Sequence, residues 1–277
     1  MKKINLSVII PVSKDLKIRE CLKSIDAIVE VVVVLNNFPS QEVIEIVEND
    51  KRCRPVYLDG PGCNLAKAFN IGISLAVNEK IVLTNSDCLF TPGLLNNLYL
   101  KLDEYEIVKA QVDFSFDSYG QRLVSECRRL FHQIFDDGTK FFGPGLSFKK
   151  TISQKIGGYF FDEVVAWGED GELSIRLHKA NLKFFILDEK IQHGSESIAH
   201  DLRVAFKIGK GNGAKDKQKN LRILSALLDD IQSLFTDRKN RFKTAYQEGG
   251  LSLMLYFLLW KVVLHIGYYV KRMERVK

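Results

Sequence analysis

The chain has 277 residues, enough for one large domain or two, and its 46% hydrophobic and 27% charged residues describe a folded globular protein and exclude a disordered one. Lys and Arg total 40 against 34 Asp and Glu, a net charge of +6 that suits an anionic ligand or a membrane surface but is too small and too spread to mark a nucleic-acid binder. The cysteines, Cys21, Cys53, Cys63, Cys88 and Cys127, are odd in number and form no Cys-x-x-Cys pair, which argues against a disulfide framework or structural zinc site and for a reducing cytoplasm.

Met1 to Asn5 runs straight into a strand-like segment and lacks the apolar core and cleavage site of a signal peptide. Leu6–Val12 (LSVIIPV) is an apolar, β-branched run closed by Pro11. Arg19–Ile28 reads as a helix, Val29–Leu35 (VEVVVVL) as a buried strand ending at Asn36-Asn37, Gln41–Glu48 as a helix and Arg54–Leu58 as a third strand. Gly60-Pro61-Gly62 opens a helix over Asn64–Asn78, and Ile81–Leu83 is a fourth strand. Strands without polar alternation, separated by helices, imply a parallel sheet covered on both faces, so roughly the first 95 residues read as a doubly wound half-domain of nucleotide-binding type. Val108–Ser115 then alternates like a strand with one exposed face, and Gln121–Phe135 reads as a basic amphipathic helix. Phe141–Phe148 contains the rigid turn Gly143-Pro144-Gly145; Asp170–Ala180 is helical with Asn181 as a left-handed cap, and Phe184–Leu187 is a final strand. Beyond about residue 200 the pattern is helical, with a basic, Gly-rich patch at Lys207–Lys219.

The fourth strand runs into Asn85-Ser86-Asp87. Alone, that triplet is a strand-to-loop turn. At the carboxyl edge of an α/β sheet, however, a carboxylate is suited to hold a divalent cation against a phosphate. Other segments fall into one order around it: SVIIPV at 7–12, LNN at 35–37, AKAFNIGI at 66–73, TNSD at 84–87, GGYFFDE at 157–163, WGEDGELSIRL at 167–177 and QHGSES at 192–197.

This order resembles the family 2 glycosyltransferases over residues 5–215. The resemblance implies a GT-A fold: a Rossmann-like, mixed but mainly parallel sheet with helices on both faces, here extended by a helical C-terminal region. It divides the chain into a nucleotide-sugar-binding half (1–95), an acceptor-binding and catalytic half of the same domain (96–200) and the helical region (201–277). Sugar transfer from a nucleotide-diphosphate donor needs a neutralised diphosphate, a base for the acceptor hydroxyl and a pocket that aligns the anomeric carbon. By position in the family motifs, Asp87 would ligate a divalent Mn or Mg ion, with His193 as a second ligand or a diphosphate contact; Asp170 would be the base, with Glu169 orienting it or touching the acceptor. Pro11, Val12, Ser13 and Asn36, with Lys67, Asn70, Asn85 and Ser86, match the nucleotide-sugar edge. Gly143 and Gly145 would either admit the acceptor closely or make a tight turn, and Trp167 would either stack on a sugar ring or pack. Lys67 is equally readable as a solvated helix residue. Where the family usually has Asp, this chain has Asn85 and Asn36, so the expected metal site holds one carboxylate fewer.

Leu251–Val270 is long enough to span a bilayer, but Lys261 lies at its centre. The cationic flank Lys271, Arg272, Arg275 and Lys277 would stay cytoplasmic, and a single span would then place the catalytic domain away from nucleotide sugars. Two readings remain: a helix buried in the domain or a homo-oligomer, and a helix lying on the membrane. The expected protein is a cytoplasmic inverting glycosyltransferase, at the cytoplasmic face of the membrane if the helix lies there, moving a sugar to a hydroxyl of a glycan or lipid-linked glycan, with no nucleic-acid partner. A catalytically weakened nucleotide-binding or assembly module is the alternative. A nucleotidyltransferase ranks lower, because Pro11-Val12-Ser13-Lys14 stands where such enzymes carry a Gly-rich basic loop.

Overall fold

The computed structural model describes residues 3–60, 62–134, 141, 143–165, 167–218 and 240–274; Pro61 of the Gly60-Pro61-Gly62 turn and Lys219 of the basic patch lie outside these. Eight strands form a single sheet in the order β3-β2-β1-β4-β7-β6-β8-β5. They are β1 (Lys3–Val12), β2 (Ile28–Asn36), β3 (Cys53–Leu58), β4 (Lys80–Leu83), β5 (Cys88–Phe90), β6 (Ile107–Phe114), β7 (Leu146–Lys149) and β8 (Phe184–His193). β1 pairs in parallel with β2 and β4, and β2 with β3. β7 is antiparallel to both β4 and β6, so β6 runs the same way as β1 to β4 and the sheet is mixed but mainly parallel.

The apolar runs form strands because both faces are covered. Ile9, Val32, Val34, Ile81 and Leu83 pack into one core with Phe69 and Ile73 of α3 (Leu65–Leu75) and Leu173 and Leu177 of α6 (Glu169–Lys179). The intervening Val8, Ile10, Val31, Val33 and Val82 are equally buried, so no polar alternation is possible. α3 lies directly on the sheet: a Cβ at Gly72 would meet the Ile9 side chain at 2.4 Å. Ser40 caps α2 (Gln41–Asn49) and Asn64 caps α3, each accepting from a backbone N–H in the first turn. Asn181 adopts the left-handed conformation expected of it, at φ 51°.

Several expectations change. β5 and α4 (Leu94–Glu104) are additions to the expected elements, although Leu94, Leu98 and Leu102 of α4 do carry helical spacing. β6 alternates only in its second half, where Val112 is buried between Gln111 and Asp113; Ile107 to Ala110 are all buried, including Lys109. β8 continues six residues past Leu187, so His193 ends the strand instead of following it. The basic helix splits into α5 (Tyr119–Arg129) and a π-helical turn, Leu130–Ile134.

Two compact units divide the chain: residues 1–113, 136–164 and 169–194 hold the sheet, and residues 114–135, 165–168 and 195–277 are mainly helical. In the helical unit, the Gly-rich patch is a helix seam, not a surface patch. α7 (Ile198–Gln218) presents Gly209 and Gly213 to α8 (Arg241–Met273), where a Cβ would stand 1.9 Å from Leu264 O and 2.5 Å from Tyr268 O. α8 breaks at Gly249 and Gly250, the latter at φ 68°, so its apolar stretch starts at Leu251 as a separate rod. Leu253, Phe257 and Trp260 of that rod are buried against α5 and α7 residues such as Cys127 and Ala205. Leu251, Leu255, Leu258, Leu259, Val262 and Ile266 form an exposed apolar stripe on it.

Candidate active site

The parallel strands deliver their carboxyl ends to one edge of the sheet, where open α/β folds bind ligands. Pro11 and Val12 are buried at the end of β1, paired with Val34 and Leu35. Ser13 leaves the sheet and ties the neighbouring loop: its hydroxyl donates to Asn37 O at 3.1 Å and its carbonyl accepts from Ser40 N at 3.1 Å. Asn36 ends β2, half-buried.

The segment after β4 organises two clusters. Thr84 and Asn85 line a small pocket of about 70 Å³ together with Phe69, Gly143, Pro144, Phe161, Glu169 and Asp170. Both acidic residues sit in the first turn of α6. Glu169 is buried, whereas Asp170 is only half-buried, with Oδ1 accepting from Gly171 N at 2.8 Å. Asp87 and His193 form the second cluster. The register of the antiparallel β5–β8 pair places His193 directly opposite Cys88, and His193 Nδ1 lies 3.3 Å from Asp87 Oδ2 and 3.0 Å from Gly194 O. Ser86 turns aside and donates to Asp15 Oδ2 at 2.9 Å.

Asp87, His193 and the Cys88 sulfur lie within 4.8 Å of one another. Burial, aided by the Asp87 charge, raises the Cys88 thiol above its ordinary pKa, and a soft sulfur is a poor ligand for Mn or Mg. One carboxylate and one imidazole remain. That donor set fits a Mn or Mg ion, which takes oxygen ligands from phosphates and water to complete its shell.

Other expected site residues have firm structural duties. Asn70 donates to Phe161 O at 2.8 Å and Glu163 Oε1 at 3.0 Å and accepts from Phe161 N at 3.0 Å, pinning the loop that precedes α6. Lys67 sits half-buried in the first turn of α3. Gly145 has φ 77°, and a Cβ there would meet Ala110 Cβ at 2.9 Å, so the glycine lets the turn lie flat on β6. Gly143 shares the left-handed conformation, at φ 66°. Trp167 belongs to the helical unit, where Lys207 Nζ lies 4.5 Å from its ring centre.

Sequence reasoning missed Lys109. This lysine in β6 is 3% exposed and donates to Pro144 O at 2.6 Å and Ala110 O at 2.7 Å, holding the Gly-Pro-Gly turn from beneath. Its only sequence signal is a lone cation in an apolar run. Burial pushes its pKa down from 10.5 to about 7, against the opposing pull of Cys88 and Asp170. Because the folded pKa is below the unfolded one, the unfolded chain binds more protons between pH 7 and about 10.5. Stability should therefore rise with pH across that window, by up to roughly 5 kcal/mol, and the penalty is fully present below pH 7. Lys109→Met should flatten this rise in urea titrations at pH 7 and 9.5; the same pH dependence in both proteins would reject it.

A GT-A sheet with this edge is the scaffold of a glycosyltransferase. The family model for glycosyl transferase family 2 matches residues 7–157, and the chain belongs to that family. No curated protein matches it in sequence. Among solved structures, S. aureus TarS 1-349 is similar at 16% identity and a TM-score of 0.53, covering 97% of this chain and 90% of that one. Its complexes with UDP (17% identity, TM-score 0.53) and with UDP-GlcNAc (16%, 0.54) cover the same shares. At this identity the likeness establishes the fold.

Proposed function

We propose that the protein is an inverting, metal-assisted transferase that moves a sugar from a nucleotide-diphosphate donor to a hydroxyl of a glycan or lipid-linked glycan. The observation that carries this reading is the pairing of Asp170 with Asn85 across one pocket, with Asp87 and His193 clustered at the end of the same segment. In a single displacement, the acceptor oxygen attacks the anomeric carbon as the bond to the diphosphate breaks, and Asp170 takes the hydroxyl proton. Buried Glu169 and the Lys109-braced turn would hold Asp170 and the acceptor in line. Asn36, Ser13, Lys67 and Asn85 would line the donor side, Gly143 and Gly145 the acceptor side, and Trp167 is proposed as an acceptor contact. A divalent cation held by Asp87 and His193 would neutralise charge on the leaving diphosphate.

Because the TarS complexes hold UDP and UDP-GlcNAc, UDP-sugars are the first donors to test. A thermal-shift screen of nucleotide sugars with and without Mn²⁺ should show a metal-dependent rise in midpoint that Asp87→Ala removes. No shift and no donor hydrolysis across the panel would sink the reading. Asn85, which stands where the family usually has Asp, motivates a second reading: a weakened module that binds nucleotide without transfer. Transfer that depends on Asp170 excludes it.

We also propose peripheral contact between the α8 stripe and the cytoplasmic face of the membrane. Its buried opposite face leaves the stripe apolar without a polar side of its own. Leu255→Glu with Leu259→Glu should abolish co-sedimentation with anionic vesicles. A change of mass in light scattering, with vesicle binding intact, would instead assign the stripe to a homo-oligomer.

A further inference from the structure

The geometry points to Lys17, in the β1–α1 loop, as a ligand of the donor diphosphate, an inference that rests on the proposed nucleotide-sugar reading. α1 spans Ile18–Ser24, and Lys17 immediately precedes it. A Cβ built on Gly194 would lie 2.7 Å from Lys17 Nζ and 3.4 Å from Asp87 Oδ2, so one point beside Gly194 touches both the ammonium and the carboxylate. The ammonium nevertheless makes no ion pair with Asp87, whose carboxylate faces His193 at 3.3 Å.

The placement is built. Asp15 accepts from Lys17 N at 3.1 Å through Oδ1 and from Ser86 Oγ at 2.9 Å through Oδ2, which locks the loop to the segment that carries Asp87. Gly194 N donates to Asp87 O at 3.0 Å, and the absent side chain leaves the space that Lys17 enters. Any anion approaching this cluster meets the carboxylates of Asp15 and Asp87, so it needs cations. Lys17 supplies an ammonium whose Nζ already stands beside Gly194, at the edge of this cluster. With Asn85 supplying no charge, a diphosphate here would be balanced by a cation at Asp87 and by Lys17 together.

The test compares affinities by calorimetry for a nucleoside diphosphate and the corresponding nucleoside, in Mn²⁺ buffer, on wild type, Lys17→Ala, Lys17→Arg and Gly194→Ala. Lys17→Ala should weaken the diphosphate about tenfold and leave the nucleoside unchanged. Lys17→Arg should restore most of the loss, and Gly194→Ala, by displacing the ammonium, should reproduce it. Lys17→Ala should also flatten the salt dependence of diphosphate binding. Equal diphosphate affinity in wild type and Lys17→Ala overturns the assignment while leaving the glycosyltransferase reading intact. Equal loss for nucleoside and diphosphate also overturns it, as a fold effect. A wild type that binds neither overturns both.

Discussion

Asp170→Asn is expected to lower sugar transfer by about 10²–10⁴-fold while nucleotide-diphosphate affinity stays roughly at the wild-type value. The substitution keeps size and the hydrogen bond to Gly171 N but removes the proton acceptor. Asp170 is the half-buried member of the acidic pair in the first turn of α6 and lines the pocket with Asn85, whereas Glu169 is buried. Turnover would be read as acceptor-dependent release of nucleoside diphosphate, and affinity by calorimetry. Full transfer by the Asn variant would remove Asp170 from the base role; lost nucleotide affinity would show that the change had disturbed the donor side instead.

Asp201→Ala should cost about 3–5 kcal/mol of unfolding free energy, the largest stability effect expected of a single polar substitution here. Asp201 is wholly buried in α7, accepting from Arg128 of α5 at 2.5 Å and from the Tyr256 hydroxyl of α8 at 2.7 Å. Three helices thus share one carboxylate. Removing it strands a guanidinium and a phenol in an apolar cluster. Tyr256→Phe should cost less, about 1.5–3 kcal/mol, because Arg128 still neutralises the charge. Replacing Asp201 and Arg128 together by Leu and Met should recover much of the loss. Denaturant midpoints at constant slope measure all three, and a neutral Asp201→Ala would show that the network is not held in solution.

Strands β1, β2 and β4 are legible because they are buried on both faces, which forces runs such as VVVVL with no polar break, whereas β3 is a largely exposed edge strand. The same reasoning misreads β6, whose Lys109 and Gln111 suggest a wet face when the lysine is in fact tied to backbone carbonyls. β5 is three residues of Cys-Leu-Phe, too short for any period, and the end of β8 is too polar to announce itself. Asp87 and His193 are therefore recognisable by family order, but their meeting is not, since it depends on the register of two strands far apart in sequence. Asn70 shows the converse. Its place in a motif suggests a nucleotide contact, yet three hydrogen bonds to the loop at Phe161 and Glu163 become visible only once the chain is folded. The glycines of α7 likewise look like a flexible basic patch until Leu264 and Tyr268 are seen against them.

β5 pairs with β8 through three positions only, Cys88 with His193, Leu89 with Gln192 and Phe90 with Ile191. Asp87 immediately precedes this short ladder and His193 ends it, while Cys88 and Phe90 are buried beneath. A slip of one residue in the pairing would turn every side chain of β5 to the other face and part Asp87 from His193. The distance between the two is therefore fixed by strand register, and a substitution at Phe90 that loosened the register would act on the site without touching it.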